Sequence, residues 1–466
     1  MFLKLTLTLS MLTIEQQAWP GFMGAGSTPI NHETLPTRWS PTTNIAWKTA
    51  IPGQGQSSPI IWNDKVFVTS IEGFMKNHCH VVSISLTDGK IIWDYKTESN
   101  IKVRSSRTQS RAAPTPLVDK NGVYAFFETG NLIALKHDGT KKWEKSISKD
   151  FGLFESNIGL ASSPLQTEGA IILLLDHEGP SCLVALDKKD GQVIWKTERE
   201  SRSSFASPAL INMGKTYQIV CSSSGSVDGY DPQNGKHLWS YEDVGGNNVA
   251  TPFQVSPGQF LVGAQAGMHN EREKEAKKSN FLMTVDFFEK TPKPKVAWLS
   301  PNLASFANPI AHQGLAYWTT KVGAVGALST STGEEVFNFR LKDTCWAAPF
   351  AAGEKIYFFG KDGLTTIIKA GPEFKLIAEN RLWPEELSMP KRRSPDDLSK
   401  NSAIPEEKSE SGKDGSGNRK SLSTNSNREN QGAIFSDPVQ YGIAVINGGI
   451  VIRTGSSVYM IRKTSN

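Results

Sequence analysis

The chain has 466 residues, of which 38% are hydrophobic and 40 are glycine, a balance that suits a turn-rich all-β protein better than a helical one. A formal net charge of +5 is mild for this length, and no lysine and arginine run is interleaved with aromatics, so nucleic acid is excluded as the natural partner.

Residues 1–18 read as a signal peptide. Lys4 supplies the positive charge, the apolar stretch to Ile14 is too short to span a bilayer, and Ala18 precedes the expected cut, although Gln16 replaces the small residue such sites prefer. The implied protein is exported, periplasmic or extracellular, and has no transmembrane segment. The first cysteine is Cys79, so no acceptor for an N-terminal lipid follows the apolar stretch.

Trp19 to Gly24 is the one non-repeat motif near the start, and it is expected to pack an N-terminal arm onto the domain. Beyond it, a run of small residues ends in proline eight times, at Pro59, Pro116, Pro164, Pro208, Pro252, Pro309, Pro349 and Pro438. The spacings are 57, 48, 44, 44, 57, 40 and 89 residues, and the last falls into the common range once one polar insertion is set aside. A period of roughly 40 to 50 residues means stacked supersecondary units.

The unit after Pro59 shows the pattern. Ile60 to Trp62, Lys65 to Thr69, Val81 to Ser85 and Lys90 to Asp94 are rich in β-branched and aromatic residues and read as four strands. Asp88-Gly89, and its counterparts Asp138-Gly139, Asp190-Gly191 and Asn234-Gly235, predict two-residue type I′ hairpins, which need positive φ at both central positions. Each unit is a four-stranded antiparallel meander.

A ring of such sheets buries their faces and protects most edges, which predicts an all-β, eight-bladed β-propeller. Small residues before each proline suit the crowded axis. Trp93, Trp143, Trp195, Trp239 and Trp298 end the fourth strands and fill the wedge at the rim. Trp47 has the same setting but precedes the first proline segment, while the C-terminal stretch offers three strands and no closing tryptophan. The N-terminal strand is therefore expected to complete the C-terminal blade, with Phe337 and the stretch near Ile377 standing in for tryptophan in blades six and seven.

Cys79, Cys182, Cys221 and Cys345 are scattered, show no metal-ligand spacing and read as buried thiols. Residues 384–430 hold nine acidic and nine basic residues and almost nothing apolar, the composition of a disordered polar insertion. One propeller domain then spans 19–383 and 431–466.

Connections between the second and third strands, and from blade to blade, emerge on one face and are long; those on the other face are tight turns. Function is expected among the long loops. Asp176, His177 and Glu178 form the densest ionisable cluster there, able in principle to bind a divalent metal or supply an acid/base pair with His78, His80 or His269; a polar turn closed by Gly179 and Pro180 accounts for the sequence equally well. Arg104, Arg107 and Arg111, with Arg199 and Arg202, would favour a carboxylate or phosphate ligand if free, and form a solvated, locally paired charge set if not. No Ser-His-Asp motif, phosphate loop or paired-carboxylate spacing assigns a catalytic residue.

Leu183 to Trp195, Val227 to Trp239 and Leu132 to Trp143 resemble the PQQ-type propeller repeat, in which an apolar strand leads through a Gly turn to a docking Trp; WD40 signatures are missing. The layout, including Trp19 to Gly24 and Leu35 to Trp39, is similar to the secreted, BamB-like PQQ-repeat proteins abundant in planctomycete-type bacteria. That resemblance implies a noncatalytic, monomeric scaffold binding a protein or polymer in the cell envelope. The alternative it carries is a quinoprotein dehydrogenase using PQQ and calcium on an alcohol or sugar. Such enzymes carry adjacent cysteines, and none are adjacent here, so no cofactor, no metal ligand and no catalytic residue is assigned.

Overall fold

The computed structural model describes residues 17–24, 31–103, 110–156, 159–246, 248–266, 272–286, 292–302, 306–387, 437–440 and 442–463. Eight antiparallel sheets follow one another around an axis, each with its strands in order from axis to rim. Blade 1 is Ile60–Trp62, Lys65–Glu72, His78–Ser85 and Ile91–Glu98. Blades 2 to 7 repeat this plan, beginning at Leu117, Leu165, Ala209, Phe253, Ile310 and Phe350. Blade 8 takes its inner three strands, Ile443–Ile446, Gly449–Arg453 and Ser457–Arg462, from the C-terminal part, and its rim strand, Ile45–Ala50, from the N-terminal part. The expected closure is present, with Trp47 opposite Met460.

Burial alternates with depth. Second and third strands are sandwiched between neighbouring blades and almost wholly buried, whereas rim strands such as Ile91–Glu98 alternate exposed and half-buried residues. The core is accordingly not one cluster but a ring of them, each lying between adjacent blades. Ile60, Phe67 and Val81 of blade 1 meet Val118, Val123 and Ile133 of blade 2, for example. The largest joins blades 7, 8 and 1 and includes Trp19, Leu35, Trp39 and Trp47.

Rim tryptophans dock blades 8, 1, 2 and 5 on the blade that follows each. The indole N–H of Trp47 donates to Leu86 O at 3.1 Å, Trp93 to His137 O at 3.1 Å, Trp143 to Lys188 O at 3.1 Å and Trp298 to Thr330 O at 2.9 Å. Every acceptor lies in the turn between the third and fourth strands of the following blade. The turn glycine lies directly on the ring: a Cβ at Gly89 would fall 2.7 Å from Trp47, and one at Gly333 2.6 Å from Trp298. Trp239 differs, donating to Gln218 Oε1 within its own blade at 2.7 Å. Steric filling explains why the ring is large; docking explains why the residue is tryptophan and its neighbour glycine.

These turns correct one expectation. In the blade 1 turn the N–H of Ser85 bonds Lys90 O and that of Gly89 bonds Ser85 O, a loop wider than two residues. Only the glycine has positive φ; Asp88, Asp138, Asp190 and Asn234 do not, so the turns are not type I′. The aspartate instead accepts from the backbone two residues on, as Asp138 Oδ1 does from Thr140 N at 2.9 Å.

Small residues at the axis also do more than fit. The N–H of Ser58 donates to Thr115 Oγ1, Thr115 N–H to Ser163 Oγ, Ser163 N–H to Ser207 Oγ and Ser207 N–H to Thr251 Oγ1, all at 2.9 to 3.0 Å. Each is the residue immediately before its proline, so one hydroxyl per blade builds a belt through blades 1 to 5. Blade 7 has Ala348 at that position. The closing contact between blades 8 and 1 uses Arg453 instead, buried to 2% exposure, whose guanidinium donates to Ser57 O at 3.1 Å and also to Ser57 Oγ and Thr69 O.

The N-terminal arm enters the axis. Ala18 and Trp19 pair antiparallel with Trp62 and Ile61, adding a fifth strand inside blade 1. Gln17 O accepts from Asn63 N and Gln17 Oε1 from Asn447 N of blade 8, Pro20 O accepts from Val118 N of blade 2, and Trp19 meets Phe350 of blade 7 at 5.9 Å. The arm thus closes the tight-turn end of the axis rather than lying on the outside of the ring. Ala18, placed at the end of the expected signal peptide, belongs to this strand.

Candidate functional site

Loop lengths divide the two faces as the sequence suggests. First-to-second strand turns are as short as Asn63 and Asp64, whereas the opposite face carries the Glu72 to His78 loop, the helices Ile147–Phe151 and Glu273–Lys278, and the blade crossings. Exposed large apolar side chains on that face include Leu153, Val322 and Leu387.

Asp176, His177 and Glu178 follow the second strand of blade 3, and the structure turns them in three directions. Asp176 points inward and is clasped by Arg199, Nε to Oδ1 at 2.8 Å and Nη2 to Oδ2 at 3.0 Å. His177 Nδ1 accepts two backbone N–H groups, from Glu155 at 3.2 Å and Gly179 at 3.0 Å, so its proton sits on Nε2. Burial holds its pKa below the usual imidazole value. Glu178 is exposed. Among the described residues no group of three His, Cys, Asp or Glu side chains can hold a metal ion. His78 and His80 sit on blade 1, where Glu72 reaches both and Asp94 accepts from His80 Nδ1 at 3.0 Å. His269 lies outside the described residues.

The arginines separate likewise. Arg199 is 2% exposed in its side chain and bridges blades 3 and 4, reaching Asp228 Oδ2 at 3.2 Å, Ser223 Oγ at 3.1 Å and the Tyr230 hydroxyl as well as Asp176. Arg202 pairs with Glu200 at 2.9 Å and stands 3.7 Å from Asp228. Two buried carboxylates therefore balance two arginines, and the set neutralises itself at the blade interface. Arg111 Nη1 reaches Gln54 Oε1, while its backbone N–H donates to Gln56 Oε1 at 2.9 Å. Arg104 and Arg107 lie outside the described residues.

All four cysteines are buried and free. Burial pushes the Cys79 and Cys182 thiols up to about 12, and those of Cys221 and Cys345 further, so none is a thiolate near neutral pH.

One constellation is not evident from ion-rich motifs. The residue three places before the repeated proline is Phe205, Val249, Phe306 and Trp346 in blades 4 to 7, each half-buried, against Gln56, Ala113 and Ala161 in blades 1 to 3. Phe306 and Trp346 stack with centroids 4.3 Å apart and planes 22° apart. Lys361, in the turn after the second strand of blade 7, holds Nζ 3.6 Å above the Trp346 ring. The repeat register alone exposes this aromatic side of the axial mouth.

Comparison with known proteins agrees with the geometry. The family described as outer membrane protein assembly factor BamB matches residues 37–159 and 154–268. BamB of Yersinia pestis is 23% identical over 226 residues, covering 48% of this chain and 52% of the relative. BamB of Burkholderia pseudomallei is 25% identical over 228 residues, covering 48% and 54%. The chain spans about half the length of the curated relatives it matches. The crystal structure of BamB from Moraxella catarrhalis superposes with a TM-score of 0.56 at 12% identity, covering 90% of this chain and 99% of that one. The designed Ika8 protein superposes at 0.51 with 11% identity, covering 88% and 98%. With repeats, closure and docking tryptophans in place, the chain is a PQQ-like β-propeller repeat protein, similar to BamB.

Proposed function

We propose that this propeller is a noncatalytic scaffold that binds a protein of the cell envelope through its long-loop face. The carrying observation is the asymmetry of the two faces: rigid turns on one, and on the other varied loops with exposed Leu153, Val322 and Leu387. A rigid ring presenting variable loops is suited to recognition. The BamB relatives are named as outer membrane protein assembly factors, which supports a protein partner. Export behind an N-terminal signal peptide, action as a monomer and a polar 384–430 insertion belong to the same reading.

Asp176, Arg199 and Arg202 serve this role as an internal brace, leaving Arg104, Arg107 and Arg111 with Glu178 as the charged part of the proposed surface. Photo-crosslinking residues placed at Leu153, Glu178 and Val322, and as controls at Asp88, Asp138 and Asp190, test the reading in the envelope of the producing cell. Crosslinks to one protein from the first set alone are expected. Equal labelling from both faces, or none, overturns it.

A further inference from the structure

The axial mouth holds a positive charge that makes no direct ion pair among the described residues. Lys361 is fixed through its backbone, its N–H bonded to Thr344 O at 2.7 Å and its carbonyl accepting from Val439 N at 3.0 Å. The turn is thereby pinned between the axial segments of blades 7 and 8. Phe306 lies parallel to Trp346 at 4.3 Å and the Lys361 ammonium stands 3.6 Å above the same ring. A stacked ring and an ammonium at those distances cannot share one side of an indole. Trp346 is therefore the middle of three layers, and the ammonium is held in place by cation–π attraction.

Among the described residues the Lys361 ammonium has no hydrogen bond and no ion pair. Asp343, the acid whose charge it feels, spends its oxygens elsewhere: Oδ1 accepts from Thr344 N and Oδ2 from Asp362 N, both at 2.7 Å. Burial holds the Lys361 pKa below its usual value, with the nearby charge of Asp343 opposing the shift. One side of the ammonium is occupied by the indole, and its remaining N–H donors have no partner. A single point charge suits a monoanion, and the indole of Trp346 on which it rests, backed on its far face by Phe306, suits an apolar body beside it.

We propose that Lys361 and Trp346, with Phe306 backing the indole, form a binding site for one carboxylate carried on an apolar or aromatic group. Such a group can come from a free organic acid or from an acidic residue beside an aromatic one in a polypeptide. The site lies on the long-loop face but does not depend on the scaffold reading.

The test uses the full chain with its lysines reductively methylated with 13C, which preserves their charge, and the Lys361 resonance identified by its loss in K361M. Titration with 3-phenylpropanoate is expected to move that resonance saturably, and 3-phenylpropanamide, uncharged and of the same shape, to bind at least about tenfold more weakly. Calorimetry should show K361R retaining phenylpropanoate binding and K361M losing it by a similar factor, with unchanged melting because the methionine stem still covers the indole. A blocked Phe-Glu peptide binding about tenfold more tightly than the free acid would make polypeptide the source, and the reverse order a small acid. Equal binding of acid and amide, an unmoved Lys361 resonance, or undiminished binding in K361M overturns the proposal. Photo-crosslinks retained in K361M would separate this site's failure from that of the scaffold.

Discussion

The backbone N–H of Thr115 bonds the hydroxyl of Ser163 at 3.0 Å, while the hydroxyl of Thr115 receives the N–H of Ser58 at the same distance. Residues from three blades are thus connected through one residue, by its backbone N–H on one side and its hydroxyl on the other. Ser163→Ala strands the buried N–H of Thr115, and the unsatisfied donor is expected to cost about 1–3 kcal/mol in chemical denaturation. Ser163→Thr keeps the acceptor and should recover most of that loss.

Trp195 and Gly235 test blade docking. Gly235 has φ of 71° and the Trp195 ring lies directly against it, so Gly235→Ala meets both backbone strain and a clash. A loss of about 2–4 kcal/mol is expected. In a double-mutant cycle, Trp195→Ala should remove the clash but not the strain, so the two losses will sum to more than the double mutant shows. Strict additivity would mean that the ring does not rest on the turn.

Much of the ring is legible in the sequence because the same contact recurs in blade after blade. A proline segment at the axis and a tryptophan at the rim are repeated responses to one geometry, so their spacing reveals it. Arg199 and Asp176 lie 23 residues apart and meet only when the end of one strand reaches over another, then close on Asp228 of the next blade. Nothing local distinguishes that buried brace from a free arginine. Trp346 and Lys361 come together through a turn anchored to two different blades, which no linear motif records.

Asp343 gives a pH dependence of known sign. Burial raises its carboxyl to about 6, above the ordinary value in an unfolded chain. Its contribution to stability is therefore full below the unfolded pKa, near ~4, and is lost as pH rises through about 6. The stability of the native chain relative to Asp343→Asn should fall between about pH 4 and 7, as read from urea midpoints across pH. A flat difference would show that Asp343 is solvated.

Trp19 is 3% exposed, and its removal should be severe for a residue so near the start of the described chain. Trp19→Ala is expected to cost about 3–5 kcal/mol. Proteolysis should then cut first near Gln17 to Gly24, before any blade opens.

Gly55 stands against the Arg453 guanidinium and the carbonyl of Thr69, leaving no space for a side chain. Gly55→Ala must displace the arginine that ties the last blade to the first. A loss of about 2 kcal/mol or more is expected, with hydrogen exchange rising in Ile443–Arg462 ahead of blades 3 to 5.

The arm that enters the axis also sets an orientation. Gln17 is held at the Asn63 turn, and Arg462 closes the inner part of blade 8 beside Asn44, so both ends of the described chain emerge on the tight-turn side. A tether coupled at either end, whether a bead in an assay or a fused domain, leaves the long loops pointing outward and unobstructed. Immobilisation thus becomes a way to present the proposed recognition surface, and a fusion partner can be added without covering it.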